Sequence, residues 1–168
     1  SKVSNKRFHG VVVPMVTPAT EDGHVDEAST LRLTEHVVAA GAYPFLFGTS
    51  GEASSISKKE KIRTGSLLCP PFIERTTVYM GISSNCFEES VDLAKAFSDQ
   101  GAHVAVVTLP CYLALRPDQM RQYFERLADS IPLPLIIYNI PVTTHMSIPL
   151  DVVEALSHHP NIVGLKDS

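Results

Sequence analysis

Short, almost unbroken apolar runs alternate along this chain with longer stretches whose apolar positions recur at helical spacing. The runs VVV, FLF, VAVV, LIIY and IVGL fall in strand segments read at 10–17, 43–48, 103–109, 133–139 and 162–165, and a sixth segment lies at 77–82. Consecutive apolar positions fit strands covered on both faces, as in a parallel sheet under helices. The intervening stretches predict five helices. Asp26 is placed to cap the first, which carries Leu31, Val37 and Val38 as apolar positions and ends at Gly41. Ser57 opens the second, with Lys58, Lys59 and Lys61 on its wet side. The third covers 88–100 and closes at Gly101. The fourth covers 118–129 behind Pro117, with Met120, Tyr123, Phe124 and Leu127 in helical register. The fifth covers 149–157.

Uninterrupted βαβα order admits two architectures, an open doubly wound sheet or a closed barrel. The phosphate-binding patterns of the first, GxGxxG and GxxxxGK[ST], are absent, which favours the barrel. A (β/α)8 TIM barrel takes about 250 residues, and here six strands are read in 168. Residues 1–168 are therefore expected to form the N-terminal part of a single (β/α)8 barrel domain. They would carry roughly its first six strands, three quarters of the eight, with the remaining strands outside this sequence. Six strands alone would leave two open parallel edges.

Composition narrows the picture further. With 44% hydrophobic and 19% charged residues the chain reads as ordinary globular material. A net charge of -4 with scattered Lys and Arg suggests neither a nucleic-acid nor a membrane-surface partner. No stretch approaches the roughly 20 apolar residues that span a bilayer, and the first residues lack the apolar run of a signal peptide. Three widely spaced cysteines without CxxC argue against a disulfide framework or a zinc knuckle, so a reducing cytoplasm is the expected setting.

In a barrel, functional groups gather at the C-terminal ends of the strands. Those ends read Thr17-Pro18, Gly48-Thr49-Ser50-Gly51-Glu52, Ser83-Ser84-Asn85, Leu109-Pro110-Cys111-Tyr112, Tyr138-Asn139-Ile140-Pro141 and Lys166-Asp167-Ser168. Hydroxyls, two tyrosines and a lysine converge. No histidine stands there in a ligand-like pair, so no metal is expected. Burial of Lys166 at the end of an apolar strand would favour its free amine. Such an amine adds to a ketone and, with loss of water, gives an iminium that withdraws electrons from an adjacent C–C bond. The Tyr138 phenol can supply the acid/base step, and Thr49 can relay a proton to it. The Ser50 hydroxyl and the backbone N–H groups of a Gly-flanked turn at Gly51 suit a small carboxylate. Taken singly, each motif has a plainer reading: a turn for GTSGE, strand-end packing for YNIP, a strand running into a solvated loop for GLKDS. Their occurrence together at strand ends carries the functional reading.

GTSGE at 48–52, YNIP at 138–141, GLKDS at 164–168 and the opening GVVVPMVTP at 10–18 resemble the dihydrodipicolinate synthase / N-acetylneuraminate lyase family of class I pyruvate-dependent aldolases. The resemblance runs over essentially the whole chain. It implies that Lys166 forms a Schiff base with pyruvate or another small 2-oxo acid, that Tyr138 moves the proton beside it, and that Thr49 and Ser50 hold the carboxylate. Tyr112 matches a tyrosine that such proteins pass into a neighbouring subunit's site, which implies a homodimer or homotetramer. No cofactor is implied. The synthases also carry an arginine two residues after the YNIP proline, where it grips an aldehyde partner's carboxylate; here that position is Thr143, a change that loses bidentate binding. The expected function is a Schiff-base lyase or aldolase acting next to pyruvate or a related 2-oxo acid, with an aldehyde as second partner. The alternatives are dihydrodipicolinate synthase proper acting on aspartate semialdehyde, a 2-oxo-acid dehydratase using the same iminium, or a non-catalytic barrel that binds a 2-oxo acid. His145 is expected on an exposed loop.

Overall fold

A computed structural model describes Phe8 and residues 10–49, 53–111 and 114–168. Its strands are β1 (Val12–Pro14), β2 (Tyr43–Leu46), β3 (Tyr79–Gly81), β4 (Val104–Thr108), β5 (Leu135–Asn139) and β6 (Ile162–Asp167). Each pairs in parallel with the next, so the sheet order is the sequence order. A doubly wound sheet reverses its order at a switch point; this one does not. The topology is that of a barrel wall, as the missing phosphate motifs suggested.

The helices are α1 (Glu27–Ala39), α2 (Lys58–Leu68), α3 (Phe87–Asp99), α4 (Pro117–Ser130), α5 (Pro141–Thr144) and α6 (Leu150–Leu156). Asp26 caps α1 by accepting from the Ser29 N–H at 3.0 Å, and Ser57 caps α2 by accepting from the Glu60 N–H at 3.1 Å. Gly101 follows α3 at φ 96, the left-handed conformation in which glycine lets the chain turn back toward β4. A Cβ there would also press on Ile73 at 2.8 Å.

The expectations need four corrections. Leu31 is exposed, and the buried stripe of α1 is instead Thr30 and Thr34, whose hydroxyls donate to the carbonyls of Asp26 and Thr30 at 2.7 and 2.8 Å. A threonine satisfied within its own helix can be buried at little cost. Lys61 is not on the wet side of α2 but 5% exposed. The strand read through Gly48 ends at Leu46, because Phe47 turns to φ 59. The helical turn α5 was not expected at all; it begins at Pro141, a residue suited to a first helical position.

Alternation along the strands divides the apolar runs between two cores. Leu46, Met80, Ala105, Val107, Leu135 and Ile137 pack outward with the helices. Phe45, Tyr79, Val104, Val106 and Tyr138 pack together on the other face. The middle strands are thus covered on both sides. The margins β1 and β6 are less so: Val12 and Leu165 are 37% and 45% exposed, because each margin has one strand neighbour among the described residues.

Candidate functional site

The inner face ends in polar side chains. Register pairs Thr108 with Tyr138 and Tyr138 with Lys166, so the three stand in a row across β4, β5 and β6. The alignment of β5 with β6 depends on a register shift between Leu135 and Ile136. Tyr138 is buried, and its hydroxyl shares a hydrogen bond with Ser168 Oγ at 3.2 Å. The Lys166 ammonium lies 3.9 Å from the centroid of the Tyr138 ring and 5.4 Å from that of Phe45. Lys166 is only half-buried, less than expected, since β6 is a margin strand.

A cavity of about 520 Å³ opens beside this row, with Thr49, Ser83, Thr108, Tyr138 and Thr143 among its walls. Lys166 is not one of those walls, although its amine lies over the ring of Tyr138, which is. Thr49 and Tyr138 therefore meet in one space, although the phenol's hydrogen bond is to Ser168. Ser50, Gly51 and Tyr112 lie outside the described residues.

Local backbone explains where Thr49 sits. Phe47, 1% exposed and stacked on Phe97 with centroids 5.9 Å apart, takes a positive φ and breaks β2 just before Gly48-Thr49. A bulky residue held in that region stores strain of order 1–3 kcal/mol, and such strain clusters at functional sites. Asn139 ties the neighbouring strand ends. Its Nδ2 donates to Asp167 Oδ1 at 2.8 Å, its Oδ1 accepts from the Ile148 N–H at 3.1 Å, and its carbonyl accepts from the Ser168 N–H at 3.1 Å.

Sequence reasoning missed Thr108 and gave Ser83 no role. Their hydroxyls are 3.1 Å apart, and Ser83 Oγ also accepts the Thr108 N–H at 2.9 Å. Thr108 shares strand parity with Val104 and Val106, a signal that becomes useful once the inward face is known. His145 caps α5 at φ 58 and is exposed, as expected. Among the described residues no three His, Cys, Asp or Glu side chains gather to hold a metal, and no helix is long and apolar enough to cross a membrane.

These features define a parallel α/β barrel wall with an amine and a phenol side by side at the C-terminal ends of adjacent strands. The chain belongs to the Dihydrodipicolinate synthetase family, whose model matches residues 7–168. It is 37% identical over 162 residues to a 4-hydroxy-tetrahydrodipicolinate synthase of Acidiphilium cryptum, covering 96% of this chain and 56% of that protein. It superposes with a TM-score of 0.90 on the E. coli K12 prophage protein YagE, solved in complex with pyruvate, at 30% identity over 95% of this chain and 54% of that one. A chloride-inhibited dihydrodipicolinate synthase from Acinetobacter baumannii, also complexed with pyruvate, gives 0.89 at 33% identity, covering 95% and 55%. The chain spans about half the length of the relatives it matches, less than the three quarters that counting strands suggested.

Proposed function

We propose that residues 1–168 are the N-terminal part of one (β/α)8 barrel of a Schiff-base lyase, and that Lys166 forms the covalent link to pyruvate or a related 2-oxo acid. The observation that carries this reading is the pairing of Tyr138 with Lys166, which sets the amine 3.9 Å from the centre of the phenol ring. The amine adds to the ketone carbon and the oxygen leaves as water. The resulting iminium takes up the electron pair when the neighbouring C–C bond breaks, and, once a neighbouring carbon has lost a proton, the enamine donates that pair when a C–C bond forms. Turning Lys166 about its four side-chain torsions moves its amine off the ring toward the carbonyl. Tyr138 is the acid/base for these proton transfers, and Thr49 faces the same cavity as its relay. Ser50, with the backbone at Gly51, holds the carboxylate. Tyr112 completes a neighbouring subunit's site in a homodimer or homotetramer. Three free thiols fit a reducing cytoplasm.

Thr143 bears on the second substrate. It lines the cavity at the position where the resemblance implies an arginine. A hydroxyl cannot replace a bidentate guanidinium, which favours cleavage or condensation with a partner other than aspartate semialdehyde. A dehydratase would use the same iminium. The test is borohydride trapping of the full-length protein with pyruvate, followed by peptide mass mapping. A reduced pyruvyl adduct on Lys166, lost in Lys166→Ala, is the expected result. A folded protein with no adduct on Lys166 would overturn the lyase reading in favour of a barrel that binds without reacting.

A further inference from the structure

Lys61 stands apart from its neighbours on α2. Lys58 is paired with Asp92 at 3.0 Å and Lys59 is exposed, whereas Lys61 is 5% exposed and has no hydrogen bond or ion pair from its amine among the described residues. A buried ammonium without a partner is costly. Burial accordingly pushes the Lys61 amine below its ordinary range, against a weaker opposing pull from Glu89. Lys61 is not sealed in the core, because it lines the same cavity as Thr49 and Tyr138, together with Ser84, Asn85 and Glu89.

We propose that Lys61 is a second imine-forming amine, open to small uncharged aldehydes that enter the cavity. The pairing of charges around it favours that chemistry over capture of an anion, since Lys58, the other lysine lining the cavity, is already paired with Asp92. Glu89 stands on the same wall, its Oε2 accepting from Ser84 Oγ at 2.9 Å, and it would repel an incoming carboxylate or phosphate. A neutral carbonyl meets no such repulsion, and the cationic iminium it forms is stabilised by that carboxylate. The Nζ lone pair makes the C–N bond, an amine proton passes to the carbonyl oxygen, loss of water with the second amine proton leaves the neutral imine, and a proton from solvent converts it to the iminium. No oxidant or reductant enters the step. Lys166 is not part of this wall, so the inference does not depend on the lyase reading.

The experiment uses the full-length wild-type protein at neutral pH with limiting propanal and cyanoborohydride, sampled over time and mapped by peptide mass. Lys61 is expected to gain the propyl group at least about tenfold faster than Lys59 and Lys95, which are exposed to water. Labelling of Lys61 no faster than those two overturns the proposal. Rapid labelling of Lys166 alone does so as well, while leaving the lyase reading standing. Rapid labelling of Lys61 in a protein that pyruvate leaves unmodified at Lys166 supports this inference and rejects the other.

Discussion

The Tyr138 side chain serves through two parts that a mutation can separate. Its ring supports the Lys166 ammonium at 3.9 Å, and its hydroxyl meets Ser168 Oγ at 3.2 Å. Tyr138→Phe keeps the ring and removes the hydroxyl. Turnover is expected to fall by about 10²–10⁴, the usual contribution of a positioned acid/base, while slow trapping of pyruvate on Lys166 persists. Steady-state kinetics beside a trapping time course would check this, and undiminished turnover would remove the phenol from the mechanism. Both residues, and their place at the ends of neighbouring strands, were legible, but the direct pairing of one with the other was not. It rests on the register of two strands and on the shift at Leu135/Ile136, which no local pattern announces. Lys61 was misread for a related reason. The buried stripe of α2 is Lys61, Thr64, Gly65 and Leu68, spaced i, i+3, i+4, i+7, with one strongly apolar member. Hydrophobic periodicity cannot find a face that is barely hydrophobic.

At the scale of elements, the site is positioned by how strands end. β2 stops where Phe47 takes φ 59, and the Phe47 carbonyl then leans over Gly81 at the end of β3. A Cβ at Gly81 would lie 2.0 Å from that oxygen, so the backbone on one side has to move. Gly81→Ala should destabilise the protein by about 1–3 kcal/mol, as overpacking does. It should also slow adduct formation, because displacing Phe47 carries Thr49 with it. Urea midpoints and trapping rates measured on the same samples test both effects. An unchanged trapping rate in a destabilised variant would show that Phe47 serves packing and not the site. Sequence located all six strands, five of them through apolar runs, and four of five expected helices run within about a residue of their expected limits. It extended the first five strands too far because apolar residues continue beyond the paired positions, as Val11 and Val16 do at 69% and 57% exposure, and it stopped β6 short, at Leu165 rather than Asp167, where the residues turn polar.

For the molecule as a whole, two buried groups give stability a pH dependence of opposite sign. The Lys61 amine is lowered from its ordinary 10.5 by desolvation. Between its folded pKa and 10.5 the unfolded chain binds a proton that the folded one refuses, so stability rises with pH through that window. The Cys69 thiol, 0% exposed and in contact with Met80 Sδ at 3.9 Å, is pushed by burial from 9.0 up to about 12. From pH 9 to 12 it is the folded chain that keeps the extra proton, and stability falls with pH. Urea midpoints of the full-length protein should therefore climb toward alkaline pH and turn over once the cysteine dominates. Lys61→Met isolates the first limb. It removes the desolvated amine and should raise stability near neutral pH by about 1–3 kcal/mol, with the gain over wild type shrinking as pH approaches 10.5. Parallel curves for the two proteins would mean that Lys61 is charged or neutral alike in both states. A converging pair would mean that folding lowers the pKa of this amine, the shift that favours its nucleophilic form in the cavity.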